Sequence, residues 1–514
     1  MKKKIAPLSV LALLLVFLAA WAAEGTWSME DIPAPFSRSR WKAEQEAAWG
    51  ARFEGDVLPL GRQRVRTPFD LKSITALPAP AAQPSNVRVS LDILEPNGGA
   101  AQPETQTEPH LALNPEQETN LLAGYQEGRF ENGGARALTF AASFNSGRTW
   151  QEGLIPGLTA ATGGPFERAS DPWVAFGPGG RAYYASLGFN ERSPANGIFV
   201  SVSEDGGRSW GDPVAVHTAT GDFDDKEAIV VDNQAGSPFR GRVYVGWDTA
   251  TVDRRQPMRF SYSSDGGLSY RPPVTIHDQG SNIGIVPLVG PGGVVHAIWT
   301  RVSQGGDFIS FQLLAARSTD GGDTWSEPVM IADMVTAGLP NARTGSIVPT
   351  AAVDPRRGDL YVVWQDSRFS PGTDQIVLSR SADGGRTWSA PRRISDGPLD
   401  AANFTPAVAV SADGLVGVAY YTLRHDPARL FLVDEYLAVS RNRGKTFGRS
   451  TRMSPASWDM RFAAFAEGFF LGDYQGLAAG KKMFHLLWIA TVQPSRIDAP
   501  ARQPDAFTRA VKAR

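Results

Sequence analysis

Short runs of apolar and aromatic residues recur along the chain in pairs, and a turn separates the two runs of each pair. In the first pair, the run HLALNP at 110–115 is followed by NLLAGYQ at 120–126. Seven such pairs begin near residues 108, 171, 226, 284, 347, 404 and 470. The second runs are rich in the β-branched and aromatic residues that suit a pleated strand. The pattern therefore predicts seven strand pairs and an all-β fold.

An eight-residue signature, Ser-x-(Asp/Asn)-x-Gly-x-(Ser/Thr)-(Trp/Tyr/Phe), follows six of these pairs. The copies occupy residues 143–150, 203–210, 263–270, 318–325, 381–388 and 440–447, so their first residues are 60, 60, 55, 63 and 59 positions apart. A steady period of this kind indicates a repeat architecture. The fifth-position glycine can supply the positive φ of a tight turn, and the Asp or Asn side chain can accept hydrogen bonds from the amides of the turn. Each signature thus predicts a hairpin connection whose closing aromatic ring is buried between sheets.

This signature is the Asp-box, or BNR repeat, and the chain resembles the sialidase-like β-propeller superfamily across residues 108–492. In that superfamily the boxes hold the fold together at the periphery, away from the catalytic face. The resemblance therefore implies a structural role for Asp205, Asp265, Asp320 and Asp383, and neither calcium ligation nor catalysis.

The repeat length predicts the number of sheets. A unit of about sixty residues accommodates four strands, namely one strand pair and the two strands that a box joins, and six such units fit between residue 108 and the last box. The seventh pair supplies only two strands, and the segment from Val87 to Ile93, which alternates apolar and polar residues, can complete it. We expect a β-propeller of seven four-stranded blades closed by this N-terminal strand, because closure removes open edges. Six blades, as in known sialidases, are the alternative.

The chain divides into four predicted segments. Residues 1–22 have the three lysines, the apolar stretch and the small-residue cleavage site of a secretory signal peptide, which predicts a secreted or periplasmic protein. Residues 23–85 form an N-terminal extension with an amphipathic helix from Ser37 to Phe53 and a proline-rich linker. Residues 86–492 form the propeller. Residues 493–514 are expected to be a loose polar tail.

The composition excludes several kinds of chemistry. The 514 residues include no cysteine, which rules out thiol catalysis and cysteine metal sites, and the six histidines have no metal-ligand spacing. We expect no cofactor and no metal site, while a calcium ion bound by carboxylates and main-chain oxygens stays open. The formal charge is −2, and it becomes 48 − 53 = −5 without the three lysines of residues 1–22. This argues against nucleic acid and anionic membranes as partners, and we expect a monomer without a membrane span.

Charged residues gather where the predicted strand pairs begin and end. If the boxes join the third and fourth strands on one face, the loops that precede the first strands and follow the second strands lie on the opposite face, around the channel. The residues before first strands include Glu108, Arg168, Asp171, Asp224, Asp225, Lys226, Glu227, Arg343, Asp473 and Tyr474. Those after second strands include Gln126, Glu127, Arg129, Asp248, Arg301, Asp366, Arg368, Arg424 and His425. Arginine forks bind carboxylates, and carboxylates act as acid or base at a glycosidic bond, so this face suits an acidic sugar.

In sialidases three arginines hold the substrate carboxylate, an aspartate is the acid/base, and a tyrosine polarised by a glutamate is the nucleophile. Carried over to this chain, the resemblance implies Arg129, Arg343 and Arg424 as carboxylate binders, Asp171 as acid/base, Tyr474 as nucleophile and Glu227 as its activator. The sialidase Arg-Ile-Pro motif has no counterpart, since the Arg-Ile pairs at 393–394 and 496–497 lack the proline. The alternatives are structural: rim charges or salt bridges for the arginines, a loop cap for Asp171, an ion-pair ring for residues 224–227 and a core role for Tyr474.

The leading hypothesis is an exported, exo-acting glycoside hydrolase of the sialidase type. One alternative is a non-catalytic propeller that binds a glycan or a protein or serves as a scaffold, and another is a lyase or hydrolase of a different acidic polysaccharide. Three arginines that converge on one point opposite a Tyr-Glu pair would favour the enzyme. Arginines that each pair with a carboxylate of a neighbouring blade would favour the scaffold.

Overall fold

The computed structural model describes residues 86–94, 100–305, 308–492 and 502–512, and these residues are almost entirely strands, turns and loops. Helical structure in these ranges is limited to single 3-10 turns at 160–162, 178–180, 291–293 and 460–462. None of these turns has the length or the apolar character that a bilayer crossing requires. The all-β prediction is confirmed. The predicted signal peptide, the helix at 37–53 and the proline-rich linker lie outside the described residues.

The strands form short antiparallel hairpins in chain order. They are β1 (Val87–Arg88), β2 (Gln106–Leu113), β3 (Leu121–Arg129), β4 (Ala135–Ser143), β5 (Gln151–Leu154), β6 (Arg168–Phe176), β7 (Ala182–Phe189), β8 (Ala195–Ser203), β9 (Val214–Thr220), β10 (Phe223–Val231), β11 (Val243–Ala250), β12 (Met258–Ser263), β13 (Val274–His277), β14 (Ser281–Val289), β15 (Val295–Gly305) and β16 (Phe308–Ser318). They continue as β17 (Val329–Met334), β18 (Ala342–Arg343), β19 (Thr350–Val353), β20 (Leu360–Asp366), β21 (Gln375–Ser381), β22 (Arg392–Arg393), β23 (Asn403–Val410), β24 (Val416–Thr422), β25 (Leu432–Ser440), β26 (Thr451–Arg452), β27 (Trp458–Asp459), β28 (Ala464–Phe465), β29 (Phe469–Phe470), β30 (Gly476–Ala479), β31 (Met483–Thr491) and β32 (Pro504–Lys512).

Hydrogen bonding groups most of these strands into seven sets of four, which we call sheets 1 to 7. The sets are β2 to β5, β6 to β9, β10 to β13, β14 to β17, β19 to β22, β23 to β26, and β30, β31, β32 and β1. A single pair, Ala135 with Ala169, links sheets 1 and 2. Strands β18, β28 and β29 form a separate small sheet, and β27 adds to β25. The first strands of successive sheets contact one another, and β30 of sheet 7 contacts β2 of sheet 1.

Sheet 7 is assembled from two distant parts of the chain. Strand β32 pairs with β31 over nine residues, and Val87 of β1 pairs with Thr508 of β32. The prediction of a loose tail after Val492 is therefore wrong for residues 504–512. The physical reason is that β31 is a long apolar strand whose second edge needs a hydrogen-bonding partner, and β1 contributes only two residues.

The hydrophobic core lies between neighbouring sheets, and large aromatic side chains fill it. Fully buried tryptophans stand on the second strands of sheets 3, 4, 5 and 7, at positions 247, 299, 364 and 488. Trp247 packs among residues of sheets 2 and 3, and Trp364 among residues of sheets 4 and 5. Full burial of one such ring contributes about 3 kcal/mol or more, so these sheet-to-sheet contacts account for much of the stability of a chain without cysteine.

Each predicted Asp-box forms the turn between the third and fourth strands of its sheet. In the second box the Ser203 hydroxyl donates to Asp205 Oδ1 (2.8 Å) and accepts from the Gly207 amide (2.8 Å). Asp205 Oδ1 also accepts the amides of residues 208 and 209, at 2.9 Å each. The serine-to-glycine hydrogen bond recurs in all six boxes, at 2.8 or 2.9 Å. The box side chains are therefore used within their own turns, as a structural role requires.

Candidate functional site at the starts of the first strands

Most of the first strands are interrupted near their starts by the same irregularity. The pairing register with the second strand shifts in sheets 1, 2, 3, 4 and 6, and the shift places one residue in the left-handed region of φ. These residues are Glu108 (φ 54°), Asp171 (52°), Lys226 (53°), Gly284 (68°) and Thr405 (45°). The repeat therefore offers one equivalent position in five of the seven sheets, at the starts of the first strands, an end of the sheets that we call the mouth.

The residues at this position differ in how well they tolerate a left-handed backbone. Gly284 is the residue that such a backbone prefers, because glycine lacks the Cβ that makes the left-handed region costly. Glu108, Asp171 and Lys226 adopt it with long charged side chains, at about 1–2 kcal/mol of strain each. Strained backbone that persists at several neighbouring positions is a frequent property of functional sites. Sheets 1, 2 and 3 therefore carry the candidate functional residues of the mouth.

The three charged side chains converge, and Asp473 from the loop before sheet 7 joins them. The Lys226 ammonium lies 2.7 Å from Asp473 Oδ2, 3.2 Å from Asp171 Oδ1 and 3.6 Å from Glu108 Oε1. We call these four residues the mouth cluster; the most exposed of their side chains is 6% accessible. Burial lowers the pKa of Lys226, but the carboxylates of Asp171 and Asp473 more than offset this and raise it well above its usual value. Lys226 is therefore a buried cation held by carboxylates from three other segments.

Two of the three predicted arginines reach the mouth cluster. Arg343, on β18, binds Asp473 through two contacts, with Nε 3.1 Å from Oδ1 and Nη2 2.6 Å from Oδ2. Arg129, at the end of β3, donates from Nη1 to Gln126 Oε1 (2.7 Å) and lies 4.0 Å from Glu108 Oε2. Its Nε is buried and has no hydrogen-bond partner among the described residues. Both guanidinium groups stack on the ring of Phe470, at 4.6 and 4.9 Å.

Three members of the mouth cluster, Glu108, Asp171 and Lys226, line a small cavity of about 30 Å³ together with the two arginines. The other lining residues are Glu131, Asn132, Gly133, Gly134, Ser170, Phe189, Phe223 and Glu467. This volume is sufficient for one or two water molecules and too small for a sugar ring. Glu467 is exposed, and the Arg343 side chain is 24% accessible, so the outer wall is where the cavity can widen.

Tyr474 and Glu227 lie close to this cavity without lining it. The buried Tyr474 hydroxyl donates to the carbonyl of Pro172 at 3.3 Å. Glu227 is fully buried, and neither oxygen of its carboxyl group has a hydrogen-bond partner among the described residues. Burial raises the pKa of both groups well above the usual values, and the carboxylates of Glu108 and Asp171 add to the rise for Tyr474 and Glu227 respectively. The structure thus places the predicted nucleophile and activator in one region, but no hydrogen bond joins them.

Arg424 lies apart from the other predicted residues. Its Nη1 is 3.2 Å from Asp396, its Nη2 donates to the Tyr420 hydroxyl (3.0 Å), and its guanidinium group stacks on Tyr436 at 3.7 Å. These partners belong to sheet 6 and to the loop that precedes it. Three converging arginines are therefore not seen, and Arg343 shows the carboxylate pairing that the sequence analysis attached to a scaffold.

Sequence reasoning placed Glu108, Lys226 and Asp473 at the starts of strands but did not assign them to the site. A usable signal was present. When the seven repeats are aligned on the turn after each first strand, Glu108, Asp171 and Lys226 occupy the same position as Gly284. A charged residue at a position where another repeat has glycine indicates that the left-handed backbone conformation is retained. It is retained because it directs that side chain to a particular place. The contribution of Asp473 had no comparable signal, because it comes from a loop that follows the repeat pattern only loosely.

Comparison with known proteins agrees with the box geometry. A family model described as a BNR repeat-like domain matches residues 304–463. This match supports the resemblance of the chain to the sialidase-like BNR-repeat superfamily. A curated sialidase from Bacteroides fragilis (strain YCH46) is 35% identical to this chain over 101 residues, which are 16% of the chain and 18% of the sialidase. The chain thus matches less than a fifth of the length of that relative.

Solved structures resemble this chain at low sequence identity. A protein of unknown function from Dyadobacter fermentans DSM 18053 is 14% identical, with 84% of this chain and 99% of that chain covered and a TM-score of 0.45. A structure described as the Hadza microbial sialidase Hz136 is also 14% identical, with 73% of each chain covered and a TM-score of 0.43.

Proposed function

We propose that sheets 1 to 7 are the seven blades of a closed propeller, and that the protein is exported and acts on glycans at the cavity of the mouth cluster. The cyclic contacts of the first strands, with β30 against β2, support the blade count and the closure. The pairing of β1 with β32 would complete the last blade. The finer proposal is an exo-acting glycoside hydrolase of the sialidase type.

One observation carries the functional proposal. Three charged residues hold an unfavourable backbone conformation at equivalent positions, and their side chains meet at one cavity. Burying three carboxyl groups and three cations together costs solvation, and replacement of a buried ion-pair network by apolar residues is often neutral or stabilising. Stability alone therefore gives little reason for this arrangement, whereas acid-base chemistry at a glycosidic bond needs carboxyl groups in different environments.

Arg129 and Arg343 are the proposed binders of an acidic group on the sugar. Arg129 is fully buried and uses only part of its donor fork, since its Nε has no partner. A carboxylate that entered the cavity could accept bidentate hydrogen bonds from such a fork. Arg343 would have to share its contact with Asp473. Arg424 has no part in this proposal because its contacts lie elsewhere.

The carboxyl groups around Lys226, Asp171 among them, are the proposed acid-base groups, and Tyr474 with Glu227 is the proposed nucleophile pair. For Tyr474 to react, its hydroxyl must leave the Pro172 carbonyl. Burial raises the pKa of Glu227, so in its ionised form this carboxyl group, which has no hydrogen bond of its own, would be a strong base for that hydroxyl proton.

The segment that carries Arg343 supports action at chain ends. Ala342 and Arg343 pair with β29, and the Thr405 hydroxyl donates to the Thr344 carbonyl at 2.9 Å. Gly345 packs so closely on the backbone of Asp473 that a Cβ would lie 2.3 Å from its carbonyl oxygen. The segment therefore closes one side of the mouth, and a pocket closed on one side suits the removal of a terminal sugar.

The test is the release of sugar from fluorogenic glycosides of acidic sugars, with an α-sialoside first, by the full chain. We expect turnover by the wild type, and a loss of more than a hundredfold in kcat in the Tyr474→Phe and Glu227→Gln variants. Glu327→Gln, at an exposed position, is the matched control and should keep full activity. No turnover of any acidic glycoside by folded wild-type protein would contradict the enzyme proposal and favour a binding propeller.

A further inference from the structure

The carboxyl groups of the mouth cluster are not equivalent. Asp473 receives two contacts from Arg343 and one from Lys226. Asp171 receives hydrogen bonds from Lys226 through Nζ (3.2 Å) and through the main-chain amide (3.3 Å). Donors of this kind stabilise the ionised form of a carboxyl group. Both aspartates therefore have the surroundings of carboxylates.

Glu108 has the weakest contacts with cations. Its Oε2 accepts one hydrogen bond, from the neutral amide of Gln126 (2.6 Å), and lies 4.0 Å from Arg129. Its Oε1 lies 3.6 Å from the Lys226 ammonium, beyond hydrogen-bond distance. The residue is 1% exposed and lines the cavity. Among the three carboxyl groups, Glu108 is therefore the one whose negative charge is least stabilised.

The pKa values point the same way. Burial raises the pKa of Glu108 to about 8, and the neighbouring Asp171 carboxylate adds to the rise while Lys226 opposes it. Burial also disfavours the charged form of Asp473, but Arg343 and Lys226 prevail and hold its pKa well below the usual range. Around one ammonium, Glu108 thus favours the protonated form and Asp473 the ionised form. Asp473 does not line the cavity, whereas Asp171 does and accepts hydrogen bonds from Lys226, so Asp171 is the ionised carboxyl group that a substrate could reach.

We propose that Glu108 is the proton donor of this site and that Asp171 is its base. Asp171 and Glu108 stand at equivalent positions of neighbouring sheets, and one Gln126 amide bonds both Glu108 Oε2 and the Ser170 hydroxyl (2.9 Å), which in turn donates to Asp171 Oδ1 (3.3 Å). This inference rests on the proposed function and assigns the two roles within it.

In the proposed reaction, every proton that a side chain gives up is returned to it. Glu108 gives its proton to the glycosidic oxygen as the bond from that oxygen to the anomeric carbon breaks, and the bonding electron pair stays on the oxygen. The leaving sugar departs as a neutral alcohol. As the glycosidic bond breaks, the Tyr474 oxygen gives its proton to the Glu227 carboxylate and forms a bond to the anomeric carbon. A water molecule then displaces Tyr474 from that carbon and loses one proton to the Asp171 carboxylate, and Glu227 returns its proton to the Tyr474 oxygen. One proton then returns from Asp171 to Glu108 through the cavity, and the site is restored.

The first test locates the proton without any substrate. Infrared spectra of the full chain with 13C-labelled glutamate carboxyl groups separate protonated glutamate from aspartate. Several glutamic acid bands are expected, because burial also raises the pKa of Glu227, Glu127 and Glu435. We expect that one of these bands disappears as the pH rises through about 8, is missing in Glu108→Gln and persists in Asp171→Asn and Glu327→Gln. Glu108→Asp, a milder change, should move that band into the aspartate region. A Glu108→Gln spectrum that titrates like the wild type would overturn the inference.

The second test assigns the role. We expect Glu108→Gln to lower kcat about 10²- to 10⁴-fold on glycosides with poor leaving groups and far less on aryl glycosides with acidic phenols, which need no proton. Asp171→Asn should be slow on both substrates. The reverse pattern would overturn the assignment. Inactive wild-type protein would remove the proposed function and the donor role with it, and the infrared result would still show where the proton lies.

Discussion

The Asp-box turns and the bulges of the first strands are both repeated from sheet to sheet, yet they differ in what is repeated. In the boxes the side chains recur together with the backbone, and Ser203, Asp205 and their counterparts make the same hydrogen bonds in every copy. In the bulges the backbone recurs while the side chains change from Glu108 to Asp171 to Lys226 to Gly284. The first pattern is what stability requires, since each turn satisfies its own polar groups.

The second pattern is what a site requires. One shared backbone conformation directs side chains from several sheets toward one point, and chemistry depends on those side chains being different. A backbone conformation that recurs with different side chains is therefore what the proposed site would require, and it is found at the first strands and not in the boxes. Four experiments test or sharpen that distinction.

The largest effect is expected for Lys226→Met. Removal of the ammonium leaves the carboxyl groups of Glu108, Asp171 and Asp473 buried without their shared partner, and the loss of one member of a buried ion pair costs about 3–5 kcal/mol. Chemical denaturation gives the free energy of unfolding. Lys445→Met, at an exposed box position, is the control and should change it by less than about 0.5 kcal/mol. Equal midpoints for the two variants would show that the mouth cluster is not a tightly coupled network.

A smaller effect is expected for Asp383→Ala in the fifth box. The change removes hydrogen bonds from the Arg386 and Thr387 amides and from the Ser381 and Thr387 hydroxyls. Because these groups are largely exposed to water once freed, we expect a loss of about 1–2 kcal/mol, as for a helix cap. Glycoside turnover, measured beside Asp400→Ala as an exposed control, should be unchanged. A loss of turnover in folded Asp383→Ala would show that the box turns also contribute to activity, and that the boxes and the bulges do not have separate roles.

Gly284→Ala tests the bulge backbone by itself. A Cβ here would have positive φ and would lie 3.2 Å from a methyl group of Val348, so we expect a loss of about 1–2 kcal/mol. Gly236→Ala is the matched control, because a Cβ there meets no atom within 4 Å. Thermal melts of both variants are sufficient. If the two substitutions have equal effects, the left-handed position carries no strain.

The smallest expected effect at neutral pH is on the pH dependence of the free energy of unfolding. Hydrogen bonds from Ser263 and Ser269 lower the pKa of Asp265 to about 2, and the other three box aspartates have similar values. A lowered pKa stabilises the fold above the unfolded value, near 4, and this contribution is lost as the pH falls toward 2. The raised pKa of Glu108 has the opposite sign, since its contribution is present below about pH 4 and is lost as the pH rises through 8.

Urea midpoints measured between pH 2 and 9 report both effects, namely the loss of stability at low pH (the acid limb) and the decline in stability above neutral pH. Replacement of the four box aspartates by asparagine, which boxes one and six already have, should flatten the acid limb only. Glu108→Gln should flatten the decline above neutral pH only. An unchanged acid limb in the asparagine variant would place the acid-sensitive groups outside the boxes.

Much of the fold could be predicted from the sequence, because the interactions that form the turns and strands are local and recur in each repeat. The box turns depend on residues within five positions of one another, and strand alternation is visible in any short window. The completion of sheet 7 by residues 504–512 was missed because the partner of β32 is fixed by the free edge of β31 and not by a local pattern.

The candidate site was only partly predictable for a related reason. Asp171, Arg129 and Arg343 line one cavity, as strand ends that share a face would lead us to expect, while their roles stay predictions. Arg424 follows a second strand as Arg129 does, but it stacks on Tyr436, in the third strand of its own sheet, and contacts Asp396, in the loop that precedes that sheet. Which way a long side chain turns at a strand end depends on neighbours that are distant in sequence.

The pairing of Val87 with Thr508 has a consequence for synthesis in the cell. Sheets 1 to 6 each use a continuous stretch of chain and can fold while translation proceeds, whereas sheet 7 waits for a segment 421 positions later, since 508 − 87 = 421. At about 5–20 residues per second, the ribosome needs roughly 20–80 s to bridge that interval. During this time the face of β2 that later contacts β30 is exposed to solvent. We therefore expect the nascent chain to bind chaperones at this strand until sheet 7 has formed.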